Sequence, residues 1–210
     1  SSLLADASRE LSDRNARALA RFIGASRAAG RDVVLVSSGA VAAGRALIHA
    51  DAAKGSLVLR QALAALGQTR MIALWQGLID APVAQVLLTH DDLRNRRRYL
   101  NARNTLLELL RLRSLPIINE NDTVAVEELK LGDNDNLAAI VAALVDADVL
   151  LIASDVAGLY SAHPRREPAA RPVPFVAAIT PAVLALAGGS DTALGTGGMR
   201  TKLDAAQKAA

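Results

Sequence analysis

Short aliphatic runs alternate with longer segments of helical periodicity along the chain, and this alternation limits the possible folds more than any other feature. Val33-Val34-Leu35-Val36, Val83 to Leu88, Leu115 to Ile118 and Val149 to Ala153 are dominated by Val, Leu and Ile. They lack the polar-apolar alternation of a half-exposed strand, so each reads as a strand buried on both faces. Between them, helices are expected over 8–28, 41–47, 57–78, 91–113 and 136–144, and after the fourth run over 181–186 and 199–210. Strands separated by helices imply an α/β fold with a mainly parallel sheet covered on both sides.

At 210 residues the chain is long enough for one sizeable domain with a real core. Residues are 51% hydrophobic but only 2% aromatic, so that core must be built from Ala, Leu, Val and Ile. Leu11, Ala18, Leu19, Phe22 and Ile23 are the candidate inner face of the first helix. Leu59, Leu63, Leu66 and Leu74 are those of the 57–78 helix, which Gly67 and Gln68 interrupt mildly. The chain has no cysteine, which excludes a disulfide framework, a thiol nucleophile and a Cys-based zinc site. No apolar run approaches the roughly 20 residues that span a bilayer, and Ser1 to Glu10 lacks a signal-peptide pattern. A cytoplasmic protein without a membrane partner is expected. The net charge of +3 suits anionic small substrates, although an Arg-rich composition alone produces it.

Polar residues gather where strands end and helices begin. Ser37-Ser38-Gly39 follows the first strand and Asn119-Glu120-Asn121-Asp122 closes the third. Ser154-Asp155 ends the fourth run. In open α/β sheets, ligands bind at the carboxyl ends of strands. Glycine at the first turn lets a ligand approach the backbone, and the following helix N-terminus favours an anion; a bare βα turn is the plain alternative. Gly132-Asp133-Asn134-Asp135-Asn136 precedes a helix, and its side chains suit N-capping. A cap needs one such residue, and here there are four. A calcium loop is disfavoured because the Gly precedes the acids and the bidentate Glu is absent.

Gly188 to Lys202, GGSDTALGTGGMRTK, is rich in glycine and opens into the last helix. Consecutive N–H groups there would form an anion nest, with Lys202 in reach of a phosphate. The Walker A spacing is absent, and a hinge before a helix is the alternative. After the third strand, Thr123 to Leu131 partly alternates and reads as a hairpin crossing the mouth of the site. Residues 163–174 hold four prolines and read as irregular. Arg94, Arg96, Arg97 and Arg98 form a basic run with no interleaved aromatics beyond Tyr99. A solvated face or an oligomer contact is expected there, and not a nucleic-acid partner. Several N–H-rich turns, one lysine and a few carboxylates suit phosphoryl transfer, which needs charge stabilisation and alignment more than a covalent nucleophile.

VSSGAVAAG, RQALAALGQ, LLTHDDL, RYLNARNTL, IINENDTVA, GDNDNLAA, SDVAGLY and LGTGGMRTK resemble, in this order, the glutamate 5-kinase branch of the amino acid kinase family. The resemblance covers nearly the whole chain. It implies a three-layer αβα sandwich and ATP-dependent phosphorylation of the L-glutamate side-chain carboxylate to glutamyl 5-phosphate, a step of proline biosynthesis. It places glutamate at Ser38, with Gly39 beside it, and at Asp122 and Asn134. It makes Asp135 the aspartate that orients catalytic lysine, and Lys202 the lysine on the transferring phosphoryl group. Nucleotide would meet Ser154, Asp155, Thr196, Gly197, Gly198, Met199, Arg200, Thr201 and Lys202. Mg²⁺ would arrive with ATP, held by phosphates and water with no dedicated protein metal site. Relatives imply a homo-oligomer, dimer or tetramer, and proline as a feedback inhibitor.

The resemblance also implies a Lys-x-Gly-[Ser/Thr] strand that would precede Ser1, further nucleotide-half strands beyond Ala210, and in many relatives a C-terminal PUA domain. The chain is therefore expected to be one kinase domain trimmed at both ends, with residues 1–147 mainly for the amino acid and 148–210 mainly for the nucleotide. These residues alone are expected to be badly impaired without that lysine. Arg60 stands where the branch has lysine and His163 where it has aspartate, and both changes look tolerable. Three other readings stand beside the kinase: an acetylglutamate kinase or aspartokinase of the same fold, a non-catalytic regulatory module, and a nucleic-acid binder using Arg94 to Arg98.

Overall fold

A computed structural model of the chain describes residues 13–48, 56–125, 134–154, 156–164, 166–187 and 198–210. Leu11, the hairpin beyond residue 125, Asp133, Asp155, Thr196 and Gly197 lie outside the described residues. Two compact units are present, Ser1–Asn134 and Asp135–Ala210.

The first unit holds a parallel sheet of β1 (Leu35–Val36), β2 (Val83–Leu88) and β3 (Leu115–Glu120) in the order β1-β3-β2. Val36 pairs with Ile118 and Leu88 with Glu120. β1 is shorter than the apolar run that announced it, although the Ser37 N–H extends its ladder to the Ile118 carbonyl at 2.9 Å. Central β3 is buried from Leu115 through Asn119, as a strand covered on both faces must be. Because all three strands run one way, Ser37, Thr89 and Asn121 emerge together at one edge.

Helices lie on both sides of this sheet. On one face α1 (Asp13–Ala28) and α3 (Leu57–Leu78) pack against Leu115 and Ile117 through Ala16, Ala20, Ile23, Met71 and Trp75. The buried stripe of α1 is thus rotated from the expected one: Phe22 is 53% exposed and Ala18 is exposed. Small residues bring the helix close, and the large ring is left outside. α3 likewise buries Leu63, Ala64, Gly67, Gln68, Met71 and Trp75, while Leu66 faces outward.

Gly67 does not interrupt α3; it is where α2 (Ala40–Ile48) crosses it. A Cβ at Gly67 would fall on the Ala40 carbonyl oxygen and lie 2.6 Å from the Gly44 nitrogen. A Cβ at Gly44 would sit 2.8 Å from the Leu63 carbonyl carbon. The helices therefore touch backbone to backbone, which only glycine permits.

The single helix expected over 91–113 is two, α4 (His90–Arg94) and α5 (Arg96–Arg111). Asn95 breaks it with an extended backbone (φ −78°, ψ 114°), and its side-chain oxygen accepts from the N–H groups of Arg97 and Arg98, both at 3.1 Å. Asn competes well for backbone donors and so prefers caps to helix interiors. α4 opens with a capping box: the Thr89 hydroxyl accepts from the Asp92 N–H, and the Asp92 carboxylate accepts from the Thr89 N–H at 2.8 Å.

In the second unit α6 (Asn134–Leu144) is followed by α7 (Pro181–Leu186) and α8 (Met199–Ala209). Asn134, Asp135 and Asn136 form the first turn of α6 and do not precede it. The expected fourth strand, 149–153, has no ladder partner among the described residues, and Val149 and Leu151 are 69% and 67% exposed. An apolar run signals a demand for burial but cannot supply a neighbour to pair with. The proline-rich segment is tied at its base by a Tyr160–Pro172 bridge and by Val173 N–H to the Leu159 carbonyl at 2.8 Å. Thr180 caps α7 and Pro181 opens it, as their order in the sequence requires. Among the described residues no helix is long and apolar enough to cross a membrane.

Candidate active site

At the carboxyl edge of the sheet the first turn is set by a buried hydroxyl. Ser37 is 4% exposed, and its oxygen accepts from the Trp75 indole N–H at 3.4 Å. Ser37 in turn donates to the Ser38 carbonyl at 3.3 Å. Its hydroxyl is thus engaged internally, and the next residue, Ser38, is half-buried. Gly39 has φ +110°, a conformation side chains resist, and α2 starts at the next residue. Ser38 and Gly39 therefore lie at a helix N-terminus with backbone donors to spare.

The turn after β3 is built from amides. Buried Asn119 accepts from the Asn134 side-chain amide at 3.2 Å, which joins the NEND cluster to the GDNDN cluster. The Asn121 N–H bonds the Leu88 carbonyl at 2.9 Å, and the Asn121 carbonyl accepts from Val124 and Ala125. Half-buried Asp122 is carried inside that turn. Ser38 and Asp122 thus follow neighbouring strands, β1 and β3. Beside the turns after β2 and β3 opens a cleft of about 480 Å³ lined by Thr89, His90, Asp91, Asp92, Arg98, Asn121, Val124 and Ala125. Burial raises the Asp92 pKa, but hydrogen bonds from Thr89 and the charge of Arg98 outweigh it and hold the carboxyl below its ordinary value. Of the basic run, Arg98 is committed to Asp92 at 3.3 Å.

In the second unit, Lys202 Nζ lies 3.0 and 3.3 Å from the two Asp135 oxygens. The side chains are 21% and 17% exposed, so the pair is largely withdrawn from water without being sealed. Asp135 sits in the first turn of α6, where the helix dipole favours a negative charge. Lys202 sits in the first turn of α8, its N–H directed at the Gly198 carbonyl at 3.4 Å. The Thr201 hydroxyl is 3.0 Å from Asp135 and 2.8 Å from the Gly198 carbonyl, so its one proton serves either. Arg200 turns along the helix to Asp204 at 3.0 Å, and half-buried Met199 opens it. The Ser154 hydroxyl accepts from the Val156 N–H at 3.4 Å, so Ser154 shapes a turn and does not end a strand.

A sequence profile of the amino acid kinase family matches residues 1–210. The chain belongs to the amino acid kinase family. Proteins named glutamate 5-kinase from Xanthomonas campestris pv. campestris (strain 8004) and Xanthomonas euvesicatoria pv. vesicatoria (strain 85-10) are each 68% identical over 210 residues, 100% of this chain and 58% of theirs. One of the same name from Xylella fastidiosa (strain 9a5c) is 65% identical over 210 residues, all of this chain and 55% of that protein. The chain thus spans rather more than half the length of the curated relatives it matches.

In this member of the amino acid kinase family the described residues bring Asn134 to Asn119 and Lys202 to Asp135. The Asn119–Asn134 amide pair and the bond from the Thr201 hydroxyl to Asp135 have no counterpart in the sequence reading, because contacts across 15 and 66 residues leave no local pattern. The Thr89 to Asp92 capping box was detectable as Thr-x-x-Asp ahead of a helix.

Proposed function

We propose that the protein is a glutamate 5-kinase, transferring the γ-phosphoryl group of ATP to the side-chain carboxylate of L-glutamate to give glutamyl 5-phosphate and ADP, the first step of proline biosynthesis. The observation that carries this reading is the Lys202–Asp135 pair at the start of the glycine-led helix. A carboxylate acceptor has no proton to lose, so the reaction needs no general base. Its difficulty is bringing one anion against another. Two unit charges at 4 Å interact by about 4 kcal/mol at an effective dielectric of 20, and a fixed lysine offsets a repulsion of that order. Asp135 keeps Lys202 extended and aimed, with Thr201 as a second restraint.

Ser38 and the Gly39 N–H would receive a substrate carboxylate, Asp122 the ammonium, and the Asn134 amide a further oxygen. Ser154, Asp155, Thr196 and Gly197 through Lys202 would hold the nucleotide, with residues 1–147 serving mainly the amino acid and 148–210 mainly the nucleotide. Among the described residues no three His, Asp or Glu side chains gather into a metal site. Mg²⁺ would come in with ATP, held mostly by the nucleotide phosphates and water. A cytoplasmic homo-oligomer, dimer or tetramer, that proline inhibits completes the reading.

The deciding assay incubates the full-length gene product with ATP, Mg²⁺ and hydroxylamine, which traps an acyl phosphate as its hydroxamate. Glutamate should yield hydroxamate while N-acetylglutamate and aspartate do not. Product from N-acetylglutamate alone would make it an acetylglutamate kinase. No hydroxamate from any acceptor, with ATP still bound, would overturn the enzymatic reading.

A further inference from the structure

α3 carries a polar stripe that its apolar packing does not call for. Gln61, Gln68 and Trp75 recur every seven residues, so they share one face of the helix. Each bonds a different part of the sheet or of the turns that follow it. The Trp75 indole N–H donates to Ser37 Oγ at 3.4 Å, in the turn after β1. Gln68 Oε1, on a residue only 7% exposed, accepts from Gln85 Nε2 on β2 at 3.0 Å. Gln61 Nε2 donates to the Ala125 carbonyl at 3.2 Å, at the far end of the turn after β3.

Burial of apolar surface fixes a helix against a sheet but says little about its position along the strands. Three directional bonds, spaced about 10 Å apart along the axis, do fix it. We propose that this stripe makes α3 the positioning helix of the amino acid site, with Gln61 setting the 121–125 turn that carries Asp122. The proposal rests on the reading that Ser38 and Asp122 hold glutamate. Within that turn, backbone bonds tie Val124 and Ala125 to Asn121. The Gln61 bond ties its far end to α3. Without it the turn keeps its local bonds but loses a restraint from the scaffold, so Asp122 samples more positions. Glutamate affinity should fall while nucleotide handling, which uses other residues, stays put.

The test compares Gln61→Met, which keeps volume and removes the donor, Gln61→Glu, which keeps shape and removes the donor, and Gln61→Lys, which restores one. All are made in the full-length gene product beside Asp122→Asn. Gln61→Met and Gln61→Glu should raise the glutamate KM about three- to tenfold, the range of one neutral hydrogen bond. The ATP KM should hold, kcat at saturating glutamate should hold, and Gln61→Lys should recover most of the loss. Calorimetric titration with glutamate gives the same comparison without turnover. A parallel fall in kcat and both affinities, or no recovery in Gln61→Lys, would reduce Gln61 to a general structural role and overturn the proposal. If Asp122→Asn raises the glutamate KM and neither donor-less variant does, the proposal falls while the site assignment stands. If Asp122→Asn also leaves it unchanged, both fall.

Discussion

Replacing Gly67 by Ala tests the contact on which the α2–α3 pair depends. The added Cβ would lie 2.6 Å from the Gly44 nitrogen and 2.7 Å from the Ala40 carbonyl carbon, with the Ala40 oxygen nearer still. Comfortable separations between such atoms are about 3.5 Å or more, so the helices must part by about 1.5 Å or more. All three obstacles are backbone atoms of α2, and no rotamer change relieves them. Overpacking of this kind costs about 1–3 kcal/mol, and backbone obstruction puts Gly67 at the upper end. Alanine's better helix propensity returns at most about 1 kcal/mol. A net loss of about 2 kcal/mol is expected, enough to lower Tm by roughly 4–8 °C in a chain of this size. Urea unfolding should show a lower midpoint at unchanged slope. Since α2 begins directly after Ser38 and Gly39, the same variant in the full-length gene product should raise the glutamate KM more than the ATP KM. Gly77→Ala is the control: it lies in the same helix with nothing within 4 Å of its Cβ, and should be neutral or stabilising by up to about 1 kcal/mol. If both variants shifted stability in the same direction, the close-crossing argument would be wrong.

Lys202→Ala should cut turnover by about 10²–10³-fold, the scale of losing one fixed donor to the transition state, and an unchanged kcat would refute its assignment. Asp122→Asn should raise the glutamate KM with little change in kcat, and movement of the ATP KM alone would show the site to be wrongly divided. Asp92→Asn should cost about 1 kcal/mol at neutral pH through the lost capping box. The Asp92 carboxyl is held below its ordinary value of 3.8, so its contribution is present above that pH and disappears as pH falls through the lowered folded value. Urea midpoints of wild type and variant should therefore converge in acid, and a constant gap would show that the charged form is not what stabilises. Asn95→Ala should lower stability by about 1 kcal/mol by removing the acceptor of two N–H groups; helix content that rises instead would mean α4 and α5 fuse.

Hydrophobic pattern alone located most elements. β2 spans Val83–Leu88 and α3 spans Leu57–Leu78, both where their apolar content and flanking signals placed them. What pattern could not settle was phase. In helices so rich in alanine the apolar stripe is nearly degenerate, and the choice between Phe22 and Ala20 as the inward residue rests on which permits close approach to Met71 and Trp75. Nor does an arginine-rich stretch reveal that one Asn within it will leave the helix to cap the next. The separate clusters NEND, GDNDN and GMRTK were conspicuous in sequence, because polar residues crowd the strand and helix ends. No local pattern carries their pairing, which the family resemblance alone implied: Lys202 reaches Asp135 across 67 positions, and only the fold reports that distance.

The bond between Trp75 and Ser37 gives the protein an optical reporter. Trp75 is the only tryptophan in the chain, 1% exposed, and its indole is hydrogen-bonded one residue away from Ser38. Emission from this sequence thus originates beside the first turn of the proposed amino acid site, in surroundings that shield the ring from water. Ligand entry that shifts Ser37 changes the partner of the emitting dipole, so occupancy of that turn becomes readable in intrinsic fluorescence without a label.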